Sequence, residues 1–163
     1  MNLAISGTCQ GFSRFDSIVG DALADLFAGM IPLPLEPAGC AEARPEDFSD
    51  CYSALIGFVG DLRGMVGIHC DSCLAQACYQ AMLGLDEKGS PEEVRDLVGE
   101  MANILAGGIK SGLLQVGDAI DIAVPQLFSG SVYQVHLPAG GNWAGWYFQV
   151  DGSRMLVELK LLD

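Results

Sequence analysis

The chain has 163 residues, half of them apolar, with 8 Lys plus Arg against 21 Asp plus Glu and a formal net charge of −13. At roughly 150 residues per domain, that length implies one domain with enough apolar side chain for a sizeable core. So few cations exclude a nucleic-acid binder and a protein that docks on an anionic membrane leaflet, because both depend on Lys and Arg meeting phosphates.

Met1 to Phe15 carries one Arg and no continuous apolar block, so no secretory signal is expected. No apolar run approaches the roughly 18 residues of a membrane-spanning helix. The six cysteines (Cys9, Cys40, Cys51, Cys70, Cys73 and Cys78) are therefore expected as reduced thiols in a soluble, cytoplasmic protein.

In chain order, Phe15, Ile18, Val19, Ala22, Leu23, Leu26 and Phe27 recur at helical spacing and predict a helix over Phe15–Met30. The two prolines of Ile31–Leu35 allow only an edge strand or an extended segment, and Glu36–Asp50 reads as a loop. Cys51–Val59 and Met65–Cys70 flank Gly60-Asp61-Leu62-Arg63-Gly64 and predict a hairpin. Asp71 or Ser72 then caps a helix over Cys73–Leu83, which Gly84 ends.

Ser90-Pro91-Glu92-Glu93 is a capping box with proline at the first helical position. It opens a long helix from Pro91 to Leu114 that crosses Gly107-Gly108, a pair that needs close packing or a close partner to justify its cost. Ala119–Val124 and Ser131–Leu137 read as strands, and Pro138–Ala144 as a loop. Trp143–Val150 and Met155–Leu162 form a last hairpin. The order predicts an α+β fold, long helices on a mostly antiparallel sheet, in a single domain spanning 1–163. Val19-Gly20-Asp21 with Leu26 and Gly29 echoes Val98-Gly99-Glu100 with Leu105 and Gly108, as two related halves would.

The capped helix has two faces. Val94, Leu97, Val98, Met101, Leu105 and Ile109 form its buried stripe, while Asp96, Glu100, Asn103, Gly107 and Lys110 line one opposite face. A carboxylate one turn from a carboxamide can pair with a partner's cation while the amide holds a water and a phosphoryl oxygen. Residue types alone also fit a plain solvated face.

These residues resemble the CheC/CheX/FliY chemotaxis phosphatases, and within them the single-centre CheX type. The family's signature is an acidic residue or Ser, a Glu four positions on, an Asn three further, and a later Pro. Here those are Asp96, Glu100, Asn103 and Pro125, the last slightly closer than usual. Leu97 to Gly107 and the upstream Ile56 to Gly64 share the family's texture.

The resemblance implies two pseudo-symmetric halves, often a homodimer through strand pairing, and hydrolysis of the aspartyl phosphate on a CheY-like receiver. It assigns Asn103 to orienting the attacking water and Glu100 to pairing with the receiver's Lys. Asp96, Gly107 and Lys110 would then serve in partner binding, and the Mg²⁺ would belong to the receiver, with no metal held by this chain. In the first half Asp21 and Ala24 stand at the matching places, and Ala24 has no group to hold a water, so that half is expected to be inactive. The alternative is a non-catalytic docking module in two-component signalling.

Other features point elsewhere more weakly. Cys70-Asp71-Ser72-Cys73 beside His69 lacks the second ligand pair of a zinc site. Gly107 to Ser111 falls inside a helix and is not a phosphate loop. His69 and His136 read as structural, and Trp143, Trp146 and Tyr147 as core or dimer-edge packing.

Overall fold

A computed structural model describes residues 9–163. The reading of the chain's start as lacking a secretory signal falls largely on residues 1–8, outside the described part. The elements are α1 (Ser13–Gly29), β1 (Leu35–Cys40), β2 (Asp47–Gly60), β3 (Gly64–Asp71), α2 (Ser72–Leu83), α3 (Pro91–Gln115), β4 (Ile120–Ile122), β5 (Gln126–Gln134), β6 (Asn142–Val150) and β7 (Ser153–Leu161). The strands form one sheet in the order β1-β6-β7-β3-β2-β4, and β5 also pairs with β2. Every pairing is antiparallel.

Local chemistry sets both ends of α2 and the start of α3. Asp71 accepts from the Leu74 amide at 2.7 Å, and Gly84 ends α2 in the left-handed region at φ 63°. The Glu93 amide donates to Ser90 Oγ at 3.2 Å and the Ser90 amide to Glu93 Oε2 at 2.8 Å, completing the capping box of α3.

Alternation along β2 divides its side chains between two faces. Tyr52, Ala54, Ile56 and Phe58 join the main core with all three helices. Cys51 and Leu55 turn the other way, into a smaller cluster with Phe48 and Val135. Within the main core α1 and α3 pack closely and antiparallel. A Cβ at Gly108 would lie 2.7 Å from the Ala22 Cβ, and one at Gly112 would lie 2.9 Å from Ile18 Cγ2.

The second face is closed by a buried polar cluster around Glu158. His69 Nε2 lies 2.7 Å from Glu158 Oε1, and Trp143 Nε1 donates to Oε2 at 2.8 Å. Arg44 donates to the same carboxylate through Nε at 2.8 Å and Nη2 at 3.0 Å, and through Nη1 to the Val135 carbonyl at 2.6 Å. His69 Nδ1 is 2.6 Å from Ser53 Oγ, which is 2.7 Å from Tyr133 Oη. Burial by itself would raise the Glu158 pKa. The hydrogen bonds from His69 and Arg44, His69's charge and the Trp143 bond outweigh it and bring the group down to about 2. His69 is thus a structural member of this cluster.

Three expectations need correction. Part of the Glu36–Asp50 loop is strand: β1 covers Leu35–Cys40 and β2 begins at Asp47. Among the described residues β1 pairs only with β6, so Pro37 removes no hydrogen bond that a second neighbour there would need. The strand expected over Ser131–Leu137 lies at Gln126–Gln134 instead, because an edge strand with little burial has no apolar alternation to mark it. Finally, Cys9 and Cys40 form a disulfide, with Cα atoms 5.7 Å apart. They are 31 positions apart in sequence and meet only once β1 joins the sheet beside the start of α1. Cys51, Cys70, Cys73 and Cys78 are free.

Candidate functional site

The capping box fixes where α3 begins, and its buried stripe sets the rotation about the helix axis. Val94, Leu97, Val98, Met101, Leu105 and Ile109 are all buried, so residues on the opposite side face outward. Asp96 and Glu100 are exposed, and Asn103, Gly107 and Lys110 are half-buried, in one continuous ridge. The helix thus brings together all five residues expected on this face.

Within the ridge the side chains differ in how they are bonded. Lys110 Nζ is 3.0 Å from Asp121 Oδ1, tying α3 to β4. Neither the Glu100 carboxylate nor the Asn103 carboxamide has a hydrogen-bond or ion-pair partner among the described residues. Neither contributes a buried unsatisfied atom, so both polar groups reach solvent. Gly107 separates from its neighbour Gly108 in function: Gly108 packs on Ala22, whereas a Cβ at Gly107 would meet nothing within 4 Å. One glycine serves helix packing, and the other leaves open space one turn beyond Asn103.

A seam runs alongside the ridge. A Cβ at Gly99 would lie 2.8 Å from Leu127 Cδ2, and Lys110 holds Asp121, so α3 and the β4–β5 segment run antiparallel past each other. At about 1.5 Å per helical residue and about 3.3 Å per strand residue, Asn103 falls level with Pro125, two positions before Leu127. The later proline of the motif thus lies in the stretch that these two contacts hold alongside α3. Asp121 and Leu127 were not marked by the sequence, because nothing local says which strand residues will border the helix.

In the first half the matching position differs. Asp21 is exposed on α1, but Ala24 is buried and carries no polar group. A groove of about 660 Å³ lies between the helices, lined by Ser17, Asp21, Asp25, Ser111 and Gln115 among others, and neither Glu100 nor Asn103 borders it. The candidate site is an open ridge, a shape suited to a substrate group carried on another protein.

The remaining motifs fall outside the ridge. Cys70 is fully buried in β3, where burial pushes its thiol well above the ordinary range, and Cys73 is exposed at the start of α2. Burial, aided by the charge of Asp151, likewise pushes the Cys78 thiol up to about 12. Trp146 is fully buried and donates to Asp16 Oδ1 at 2.7 Å. Among the described residues no helix is long and apolar enough to cross a membrane.

The chain resembles known proteins along most of its length. No curated protein sequence matches it. Among solved structures, a chemotaxis protein CheX from Vibrio vulnificus is 30% identical, with 91% of this chain and 99% of that one covered and a TM-score of 0.81. A CheC-like superfamily protein from Shewanella sp. PV-4 is 27% identical, covering 92% and 98%, with a TM-score of 0.82. The fold also matches a CheX–CheY–BeF3–Mg complex from Borrelia burgdorferi, at 19% identity, 90% and 96% coverage and a TM-score of 0.71. The family model described as chemotaxis phosphatase CheX matches residues 52–149, and the chain belongs to that family.

Proposed function

We propose that this chain hydrolyses the aspartyl phosphate of a CheY-like receiver domain, with Asn103 orienting the attacking water and Glu100 pairing with the receiver's active-site Lys. The observation that carries this reading is the pair of free polar groups one helical turn apart: a carboxylate and a carboxamide that their own chain leaves unbonded, on a helix whose Gly107 leaves open space beside them. Asp96 and Lys110 extend the contact surface along the same ridge.

The water oxygen bonds to phosphorus while the bond from phosphorus to the aspartyl oxygen breaks. The receiver's carboxylate leaves as the anion, and the water's proton passes to the released phosphate. Phosphoryl transfer depends chiefly on position and charge, so a fixed amide can lower the barrier without any covalent step on this chain. Mg²⁺ is read as the receiver's own, and this chain supplies no ligand to it.

A homodimer is part of the reading. Among the described residues β5 is paired on one side only, exposes Phe128 and Val132, and has no Lys, Arg or Pro between Gln126 and Gln134. β1, the opposite edge, carries Pro37 and a register shift. Charged residues, prolines and bulges are what normally keep strand edges from pairing, so β5 is the edge open to a second copy. The cytoplasm is the compartment this function requires. Disulfides are uncommon there, so the Cys9–Cys40 bond runs against that placement.

The test follows phosphate release from a phosphorylated CheY-type receiver with wild type, Glu100→Ala and Asn103→Ala. Release should be accelerated by wild type and fall toward the receiver's own rate with either variant. A wild-type rate equal to that of receiver alone, with binding intact, would replace catalysis with a docking role.

A further inference from the structure

The seam beside Asn103 carries an exposed apolar side chain that neither the core nor the catalytic reading uses. Val124 is 82% exposed, the most exposed of the large apolar residues described. It lies in the break between β4 and β5, where the edge of the sheet is interrupted: the Ala123 amide donates to the Gly57 carbonyl at 2.9 Å, and ladder pairing resumes only at Gln126. The next residue is Pro125, whose ring disfavours helical backbone at position 124 and holds it extended. Proline also has no amide to offer a ladder. The break is therefore built into the sequence, and it leaves Val124 exposed in the stretch between the contacts of Asp121 and Leu127 with α3.

A single exposed valine is ordinary on a protein surface. This one differs in its placement. It lies between Asp121, paired with Lys110, and Leu127, packed at Gly99, and these two contacts bracket Asn103 along α3. Acidic Asp121 and the partly buried apolar side chains of Ile122 and Leu127 lie within three positions of it in the chain. An interface gains from each exposed apolar side chain that it removes from water.

We propose that Val124 is a positioning residue that seats the receiver against Asn103. It acts on complex formation and not on the hydrolytic step. The occupant is the same phosphorylated receiver, met through an apolar side chain near its phosphorylated aspartate, so this inference rests on the proposed function above.

The experiment measures two quantities for wild type, Val124→Asp and Val124→Ile: affinity for a receiver loaded with beryllofluoride, and the kcat and KM for phosphate release. Val116→Asp, an exposed valine at the far end of α3, is the surface control. Val124→Asp is expected to weaken binding and raise KM by about tenfold or more, the worth of roughly 1.4 kcal/mol, with kcat within about twofold. Val124→Ile should behave as wild type, and Val116→Asp should change neither quantity. Thermal melting of each variant shows that the fold is retained. Unchanged affinity and KM in Val124→Asp would overturn the proposal, as would a fall in kcat at unchanged KM. A wild type that binds the loaded receiver without accelerating release would defeat the catalytic reading alone, and the affinity of Val124→Asp would still decide the role of Val124.

Discussion

Gly108 and Ala22 meet where α3 crosses α1, so closely that a Cβ on Gly108 would lie 2.7 Å from that of Ala22. One residue earlier the same atom on Gly107 would touch nothing. Glycine inside a helix costs about 1 kcal/mol relative to alanine. Gly107→Ala should therefore raise stability by up to about 1 kcal/mol, whereas Gly108→Ala should lower it by about 1–3 kcal/mol through overpacking. Urea denaturation of the two variants checks the contrast. If the space beside Gly107 is for the receiver, Gly107→Ala will also be the more stable protein and the slower phosphatase.

The carboxylate of Glu158 predicts an acid limit to stability. Its pKa is about 2 in the folded protein against 4.5 for the free group. A depressed folded pKa contributes stability that is complete above the unfolded value and is lost as pH falls through the folded one. Each unit is worth about 1.4 kcal/mol, so the contribution is on the order of 3 kcal/mol, disappearing between pH 4.5 and about 2. Glu158→Gln should be less stable at pH 7, because it leaves Arg44 partly buried without its counter-charge. It should also show a flatter decline over that acid range. Urea midpoints measured from pH 7 to 3 read both effects, and parallel curves for the two proteins would contradict the assignment.

The Cys9–Cys40 bond closes a loop of 31 positions. By the chain-entropy model such a crosslink is worth about 3–4 kcal/mol. A reductant, or Cys40→Ser, should lower the melting temperature, and denatured protein prepared without reductant should titrate only the four free thiols. Titration of all six cysteines would show the bond absent, and would favour a reducing compartment.

How far this fold could be read from its sequence follows from which forces act locally. Ser90 with Glu93, Asp71 and Gly84 announce helix ends because their hydrogen bonds span three or four residues. The apolar stripe from Val94 to Ile109 sets the outward face of α3, so Glu100 and Asn103 were legible as a pair. Of the edge strands, β5 was legible only at its end, because its burial does not alternate, and β1 fell mostly in a stretch whose Pro, Gly and acidic residues read as a loop. The disulfide, the Glu158 cluster and the seam between α3 and the β4–β5 segment each depend on residues far apart in the chain. Only strand order brings them together.

The central claim is that Asn103 acts on the hydrolytic step. The most direct measurement compares Asn103→Ala with wild type in two assays: binding to a beryllofluoride-loaded receiver, and the rate of phosphate loss with the phosphorylated receiver saturated. Near wild-type binding is expected, with a rate lower by about 10²-fold or more, the usual cost of removing one placed hydrogen-bond donor. A variant that binds and dephosphorylates as wild type does would contradict it.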